Sequence, residues 1–275
     1  MKPAESVRDR DPALAAEELA GLEVTERRRG PVLRLESWES RYRGLVCGIT
    51  RAAGGDYGVA GAAVGGLLDG WGDLAASLGF GGVSVPLQVH GRDVVRVGRR
   101  EAARADGAPA TILLLPGRVD GHVTTTPGLL LGATAADCVP VYALDPGAGA
   151  WGLAHAGWRG VAAGVLEVLR DRMIDAGAGG PEMLLHLGPA ICGPCYEVDE
   201  PVLEALGLPG DRARVDLRGL LVRQALEAGF SRERISTSAL CTRCGPAGLH
   251  SYRRDGTRSG RMAAFLGMRE ESVSP

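Results

Sequence analysis

The stretch LLLGATAADCVPVYALDPGAGAWGLAHAGWRG, residues 129–160, holds three apolar, β-prone runs in succession: Leu129–Ala135, Val139–Leu144 and Gly152–His155. Loop signals separate them, and each has the length of a strand. Directly afterwards, Gly160–Met173 places Val161, Val165, Leu166, Val168 and Leu169 on one broad apolar face, which predicts a helix. Strands in consecutive groups beside such a helix predict mixed sheets covered by helices, not a strictly alternating parallel sheet.

Working outward, Val32–Leu35, Gly44–Thr50, Val83–Val89, Asp93–Val97 and Thr111–Leu115 read as strands, and Gly65–Leu78 as a helix closed by Gly79. Downstream come a strand at Met183–Leu187, helices at Glu200–Leu206 and Leu217–Ala228, an extended Ile235–Ser238, and a final strand within His250–Gly267. No repeat or long internal linker interrupts them. The expectation is one compact α/β domain of the α+β type over residues 31–275. It is preceded by a charged, flexible tail over residues 1–30 that ends in Arg27-Arg28-Arg29.

The chain has 275 residues, 45% of them hydrophobic, which excludes wholesale disorder. With 31 Lys and Arg against 33 Asp and Glu, no basic excess points to nucleic acid or an anionic membrane. No apolar run reaches the roughly 18 residues of a membrane span, and no secretory h-region is visible. A cytoplasmic protein with its six cysteines as free thiols is expected. Oligomeric state is not encoded in any of these features.

Three segments place a metal-ligand side chain beside Gly or Pro at a strand end: Gln88-Val89-His90-Gly91, Ala136-Asp137-Cys138-Val139-Pro140 and His155-Ala156-Gly157-Trp158-Arg159-Gly160. If His90, Cys138 and His155 converge, two imidazoles and a thiolate make an open zinc site, with a fourth position for water. The residues alone leave a plainer alternative, ordinary loop histidines and a buried thiol. Cys192-x-x-Cys195 and Cys241-x-x-Cys244 form two further pairs. The long separation between them favours structural or redox-sensitive thiols over a second zinc. His122 and His186 read as packing residues.

Together with Val119–Thr124, Gly188-Pro189-Ala190-Ile191, Tyr196-Glu197-Val198, Ser251–Gly256 and Gly260-Arg261, those segments resemble the signatures of the YfiH/YlmD family. This group was long labelled polyphenol oxidase or laccase domain and is now described as purine nucleoside phosphorylase. The resemblance runs in order from about Gly48 to the C-terminus. It implies the fold shared by YfiH and the cytotoxic necrotizing factor catalytic domain, with mixed β-sheets sandwiched between helices. It also implies a metal, zinc or alternatively copper, on His90, Cys138 and His155. The implied activities are phosphorolysis of adenosine, inosine and methylthioadenosine, and deamination of adenosine.

On that resemblance the partners are a purine nucleoside and phosphate, with Arg51, Arg159, Arg253 and Arg254 as candidate phosphate ligands through the planar guanidinium fork. Asp137 is a candidate for ligand orientation or proton transfer. Trp158 is expected to pack beneath the site, or alternatively to stack on the purine. The chain departs from the family's N-terminal pattern: Gly54-Gly55-Asp56-Tyr57-Gly58 runs into an apolar stretch without the usual polar residues. That departure keeps open a non-catalytic partner protein, and a hydrolase of a peptidoglycan precursor stays open because a metal hydroxide does not dictate its substrate. Phenol oxidation is disfavoured, because five isolated histidines do not supply a multicopper cluster.

Overall fold

The computed structural model describes residues 19, 21–58, 64–98, 112–246 and 248–270. In chain order the first strands are β1 (Glu23–Val24), β2 (Arg27–Arg29), β3 (Val32–Arg34), β4 (Leu45–Thr50), β5 (Gly82–Ser84), β6 (Val94–Arg96), β7 (Ile112–Leu114) and β8 (Gly121–Thr124). The remainder are β9 (Leu129–Ala135), β10 (Val139–Asp145), β11 (Ala150–Ala156), β12 (Leu184–Leu187), β13 (Glu197–Asp199), β14 (Arg212–Arg214), β15 (Ile235–Ser238) and β16 (Met262–Met268). The helices are α1 (Glu36–Glu39), α2 (Val64–Ser77), α3 (Trp158–Ala163), α4 (Val165–Asp175), α5 (Glu200–Ala205), α6 (Leu217–Glu227) and α7 (Tyr252–Asp255).

Alternation along β10 sets the layering. Val139, Val141 and Ala143 pack with Val165, Leu166, Leu169, Leu221 and Val222 of the helices, whereas Tyr142 and Leu144 pack with Ile49, Leu131 and Leu266 of the other sheet. One seven-stranded mixed sheet runs β1-β15-β12-β10-β11-β8-β6, the other β2-β3-β4-β16-β9-β5-β7. Their inner faces meet over a core that includes Trp38, Cys47, Trp151 and Leu153. α2 covers the outer face of the second sheet, where Trp71 and Leu74 meet Leu130 and Phe265. Helix, sheet, sheet and helix layers result, the expected mixed sheets between helices. Among the described residues no helix is long and apolar enough to cross a membrane.

The helix expected over Gly160–Met173 is two helices, α3 and α4. Gly164 breaks it with φ of 81°, a left-handed conformation that favours glycine, while the apolar period continues across the break. The strand expected over Val83–Val89 ends at Ser84. Beyond it the chain peels away, with Val85 and Leu87 donating to Leu114 and Gly117, and becomes the loop that carries His90.

Of the tail expected over residues 1–30, residues 1–18 and 20 lie outside the described residues. From Gly21 onward the chain is folded: β1 pairs in parallel with β15, and β2 pairs antiparallel with β3. Glu26 is buried, its carboxylate meeting His186 Nε2 at 3.1 Å and accepting the Ser238 hydroxyl at 2.8 Å. The ordered chain therefore starts before Pro31, because tertiary partners satisfy a charge that composition assigns to solvent.

Candidate metal centre and active site

Three connections deliver the candidate ligands. The antiparallel pairing of β10 with β11 sets Pro140 opposite His155, so Cys138, immediately before β10, lies beside that imidazole. The loop after β5 brings in His90 and is clamped at both ends. Gln88 Oε1 accepts the Thr134 backbone N–H at 2.7 Å, and its amide nitrogen donates back to the Thr134 carbonyl at 2.9 Å. At the other end, Asp120 accepts the backbone N–H groups of His90 at 2.8 Å and Gly91 at 2.6 Å.

Ligand atoms of His90, Cys138 and His155 all lie within 4.8 Å of one another. The two imidazole rings are edge to face, with centroids 4.8 Å apart. His155 is buried, Cys138 half-buried and His90 exposed, so the cluster is closed beneath and open on the His90 side. His90 and Asp137 are the non-glycine residues with left-handed backbone among those described, at φ of 60° and 95°. Strain of this kind collects where surrounding structure over-determines a functional geometry.

Electrostatics favours a thiolate–imidazolium pair between Cys138 and His155, so a metal bound there would take the place of the His155 proton. Burial alone would push the Cys138 thiol up, but His155 and His90 beside it bring it down to about 6. His155 is raised to about 9 against its own burial, by the Cys138 sulfur and by Asp120. Asp120 Oδ1 lies 3.3 Å from His155 Nδ1, which directs the opposite ring nitrogen toward the thiolate. Burial raises the Asp120 carboxyl, but the His155 ring and the Gly91 and His90 amides hold it below its ordinary range.

The donor set fits a metal ion on an independent ground. A Cβ at Gly157 would stand 3.0 Å from Cys138 Sγ and 3.2 Å from His90 Cδ2, so the absence of a side chain there keeps the cradle clear. Two imidazoles and a thiolate are a borderline-soft set of the kind zinc takes.

Both carboxylate oxygens of Asp137 are engaged: Oδ1 accepts the Thr242 hydroxyl and Oδ2 the Arg253 backbone N–H, both at 2.6 Å. Arg253 and Arg159 flank Tyr196: the Arg253 guanidinium lies 4.9 Å from that ring's centroid, and both cations act on its hydroxyl. Burial, with Cys138 and Asp137 nearby, pushes that phenol up to about 12. The Arg159 guanidinium also lies 4.1 Å from the Trp158 ring centroid, and Trp158 packs, partly buried, against the helix-side core.

Arg254 is committed elsewhere, its guanidinium bonded to the Thr242 and Leu249 carbonyls and to Asp255. Arg51 lies against Gly248. Sequence reasoning passed over Asp120 and Tyr196 although both stood inside quoted motifs. A carboxylate that bonds backbone amides carries no ligand signature, whereas a tyrosine among thiolate, carboxylate and arginine motifs is a signal that was available.

The family described as "Multi-copper polyphenol oxidoreductase laccase" matches residues 71–269. The chain is 38% identical over 204 residues to "Purine nucleoside phosphorylase YlmD" of Geobacillus stearothermophilus, covering 67% of this chain and 71% of that one. It is 33% identical over 156 residues to "Adenosine deaminase RL5" of an unknown prokaryotic organism, covering 52% and 60%. The crystal structure of YlmD from Geobacillus stearothermophilus superposes with a TM-score of 0.77 at 32% identity, covering 90% of this chain and 100% of that one.

Proposed function

The chain belongs to the family described as multi-copper polyphenol oxidoreductase laccase, and on that premise we propose that it is a zinc-dependent purine nucleoside phosphorylase that also deaminates adenosine. One observation carries the reading: His90, Cys138 and His155, drawn from three separate segments, present ligand atoms within 4.8 Å on a site open at one side. Zinc fits that donor set best, with copper as the alternative. A bound ion of this type supplies Lewis-acid chemistry and acidifies water.

The chain's own residues supply the rest. Asp120 orients His155, and the Thr242–Asp137–Arg253 contacts fix the turn that presents Cys138. We assign the phosphate to Arg159 and Arg253, whose planar forks suit its oxygens. In phosphorolysis a phosphate oxygen bonds to the anomeric carbon while the carbon–nitrogen bond to the purine breaks. The base leaves with that electron pair and takes up a proton. Tyr196 keeps its proton at neutral pH, and we assign it as a hydrogen-bond donor to the nucleoside.

The names of the similar proteins support phosphorolysis and deamination alike. The family's laccase description finds no support in the ligands. His122 meets Ser84 and His186 meets Glu26, both histidines buried, which leaves too few imidazoles for a multicopper cluster. A cytoplasmic setting, with small-molecule substrates and no nucleic-acid partner, belongs to the same reading, since the site needs a reduced cysteine.

The test is to quantify bound metal and incubate the protein with adenosine, with and without phosphate, following ribose-1-phosphate and inosine. Phosphate-dependent adenine release, lost together with metal in Cys138→Ser and in His155→Ala, is the expected result. Inosine alone restricts the reading to deamination. Neither product from metal-replete protein overturns it in favour of a precursor hydrolase or a non-catalytic partner.

A further inference from the structure

A second group of ligand atoms lies outside the triad. The sulfurs of Cys192, Cys195, Cys241 and Cys244 are all within 4.8 Å of one another, and Cys192 Sγ stands 3.9 Å from Cys244 Sγ. A tetrahedral zinc tetrathiolate, with bonds of about 2.3 Å, sets its sulfurs about 3.8 Å apart. The two pairs come from loops far apart in the sequence, so this convergence is a property of the fold.

The backbone around the sulfurs is shaped for a ligand knuckle. Cys192 and Cys244 each direct a backbone N–H at Cys241 Sγ, at 3.3 and 3.5 Å. The first pair closes a tight turn in which the Cys195 N–H donates to the Cys192 carbonyl at 2.9 Å. In the second, the Gly245 N–H donates to the Cys241 carbonyl at 3.0 Å, and a Cβ on Gly245 would lie 2.3 Å from that oxygen, so no other residue fits. Among the described residues the backbone joins the loops at one isolated bridge, Ala190 with Cys241, which includes the Thr242 N–H donated to the Ala190 carbonyl.

We propose that Cys192, Cys195, Cys241 and Cys244 bind one structural zinc ion that fastens these two loops together. Four protein ligands leave no open position, which marks a structural site as distinct from the three-ligand centre at His90, Cys138 and His155. Binding replaces the thiol protons with the ion. The fastened loops are those that hold Asp137: Ile191 N–H donates to the Asp137 carbonyl at 3.0 Å and Thr242 to its carboxylate. The zinc therefore braces the turn beside Cys138 without touching substrate, and the inference stands whether or not the nucleoside reading holds.

The experiment counts zinc per full-length chain by elemental mass spectrometry in wild type, Cys244→Ser, the double variant Cys241→Ser/Cys244→Ser, and His155→Ala. Two equivalents are expected in wild type. The cysteine variants should drop to one equivalent and still form purine product, while His155→Ala should drop to one and lose turnover. Because a cysteine variant can misfold, cobalt-loaded wild type and His155→Ala supply a second readout, a tetrathiolate charge-transfer and ligand-field spectrum in both. Equal zinc in wild type and Cys244→Ser overturns the proposal. So does a set of four cysteines that resists alkylation until reductant, and not a chelator, releases it, since that marks disulfides. Loss of turnover in His155→Ala reports only on the other site, so the two readings fail separately.

Discussion

The Thr242 hydroxyl donates to Asp137 Oδ1 at 2.6 Å, tying the turn beside Cys138 to a loop more than a hundred residues further along the chain. Asp137 sits at φ of 95°, and this bond with its partner from the Arg253 amide holds it there. Removing the hydroxyl leaves a buried carboxylate oxygen short of a donor, at a cost of about 1–3 kcal/mol. Thr242→Val should lower kcat about tenfold or more, since small displacements near the chemistry are costly. Bound metal should stay constant and Thr242→Ser should recover kcat. A Thr242→Val enzyme with wild-type kcat would show that Asp137 does not position the site.

Asp120 joins two of the candidate ligands, taking the amides of the His90 loop on its oxygens and facing the His155 ring. Asp120→Asn turns an acceptor into a donor against those amides and removes the charge that orients the imidazole. Loss of such a partner typically weakens metal binding by about 10–100-fold. Competition with a chromophoric chelator should read that loss, and an unchanged metal affinity would remove Asp120 from the site.

Glu26 is the residue that turns an apparently disordered leader into part of the fold. Its carboxylate reaches His186, 160 positions away, and Ser238, 212 positions away, all buried. Glu26→Ala leaves an imidazole and a hydroxyl without their acceptor, which should cost about 2–4 kcal/mol in urea-induced unfolding. A change under about 0.5 kcal/mol would mean that this segment contributes no more than an ordinary surface position.

What could be read from the sequence follows from which forces leave local marks. β9, β10 and β11 were legible because both faces of each strand are buried, giving unbroken apolar runs. The three metal-ligand segments were legible because turn residues punctuate them. β1 and β2 were not, since they are two- and three-residue edge strands with exposed charged side chains and leave no apolar run. The break at Gly164 was hidden because the apolar spacing continues through it. The separation of the CxxC pairs argued against a common site, yet two loops held near Ala190 bring their sulfurs together. Arg254 carries contacts that its motif does not announce, since its guanidinium fastens the Thr242 and Leu249 carbonyls.

His122 gives the fold an acid-sensitive point apart from the metal centre. It lies fully buried on β8 with Nδ1 2.9 Å from the Ser84 hydroxyl, and burial lowers its pKa from 6.5 to about 3. Below about pH 6.5 the unfolded chain gains a proton at this imidazole, and the folded chain does not until about pH 3. Stability at this group is therefore complete above about pH 6.5 and falls with acid by about 1.4 kcal/mol per pH unit through that window. His122→Gln can still pair with Ser84 but has no such titration. Urea unfolding at about pH 7.5 and pH 5 should show a loss on acidification about 2 kcal/mol smaller in His122→Gln than in wild type. Parallel pH slopes in the two proteins would mean that His122 titrates normally in the folded state, and that its burial does not keep the proton out.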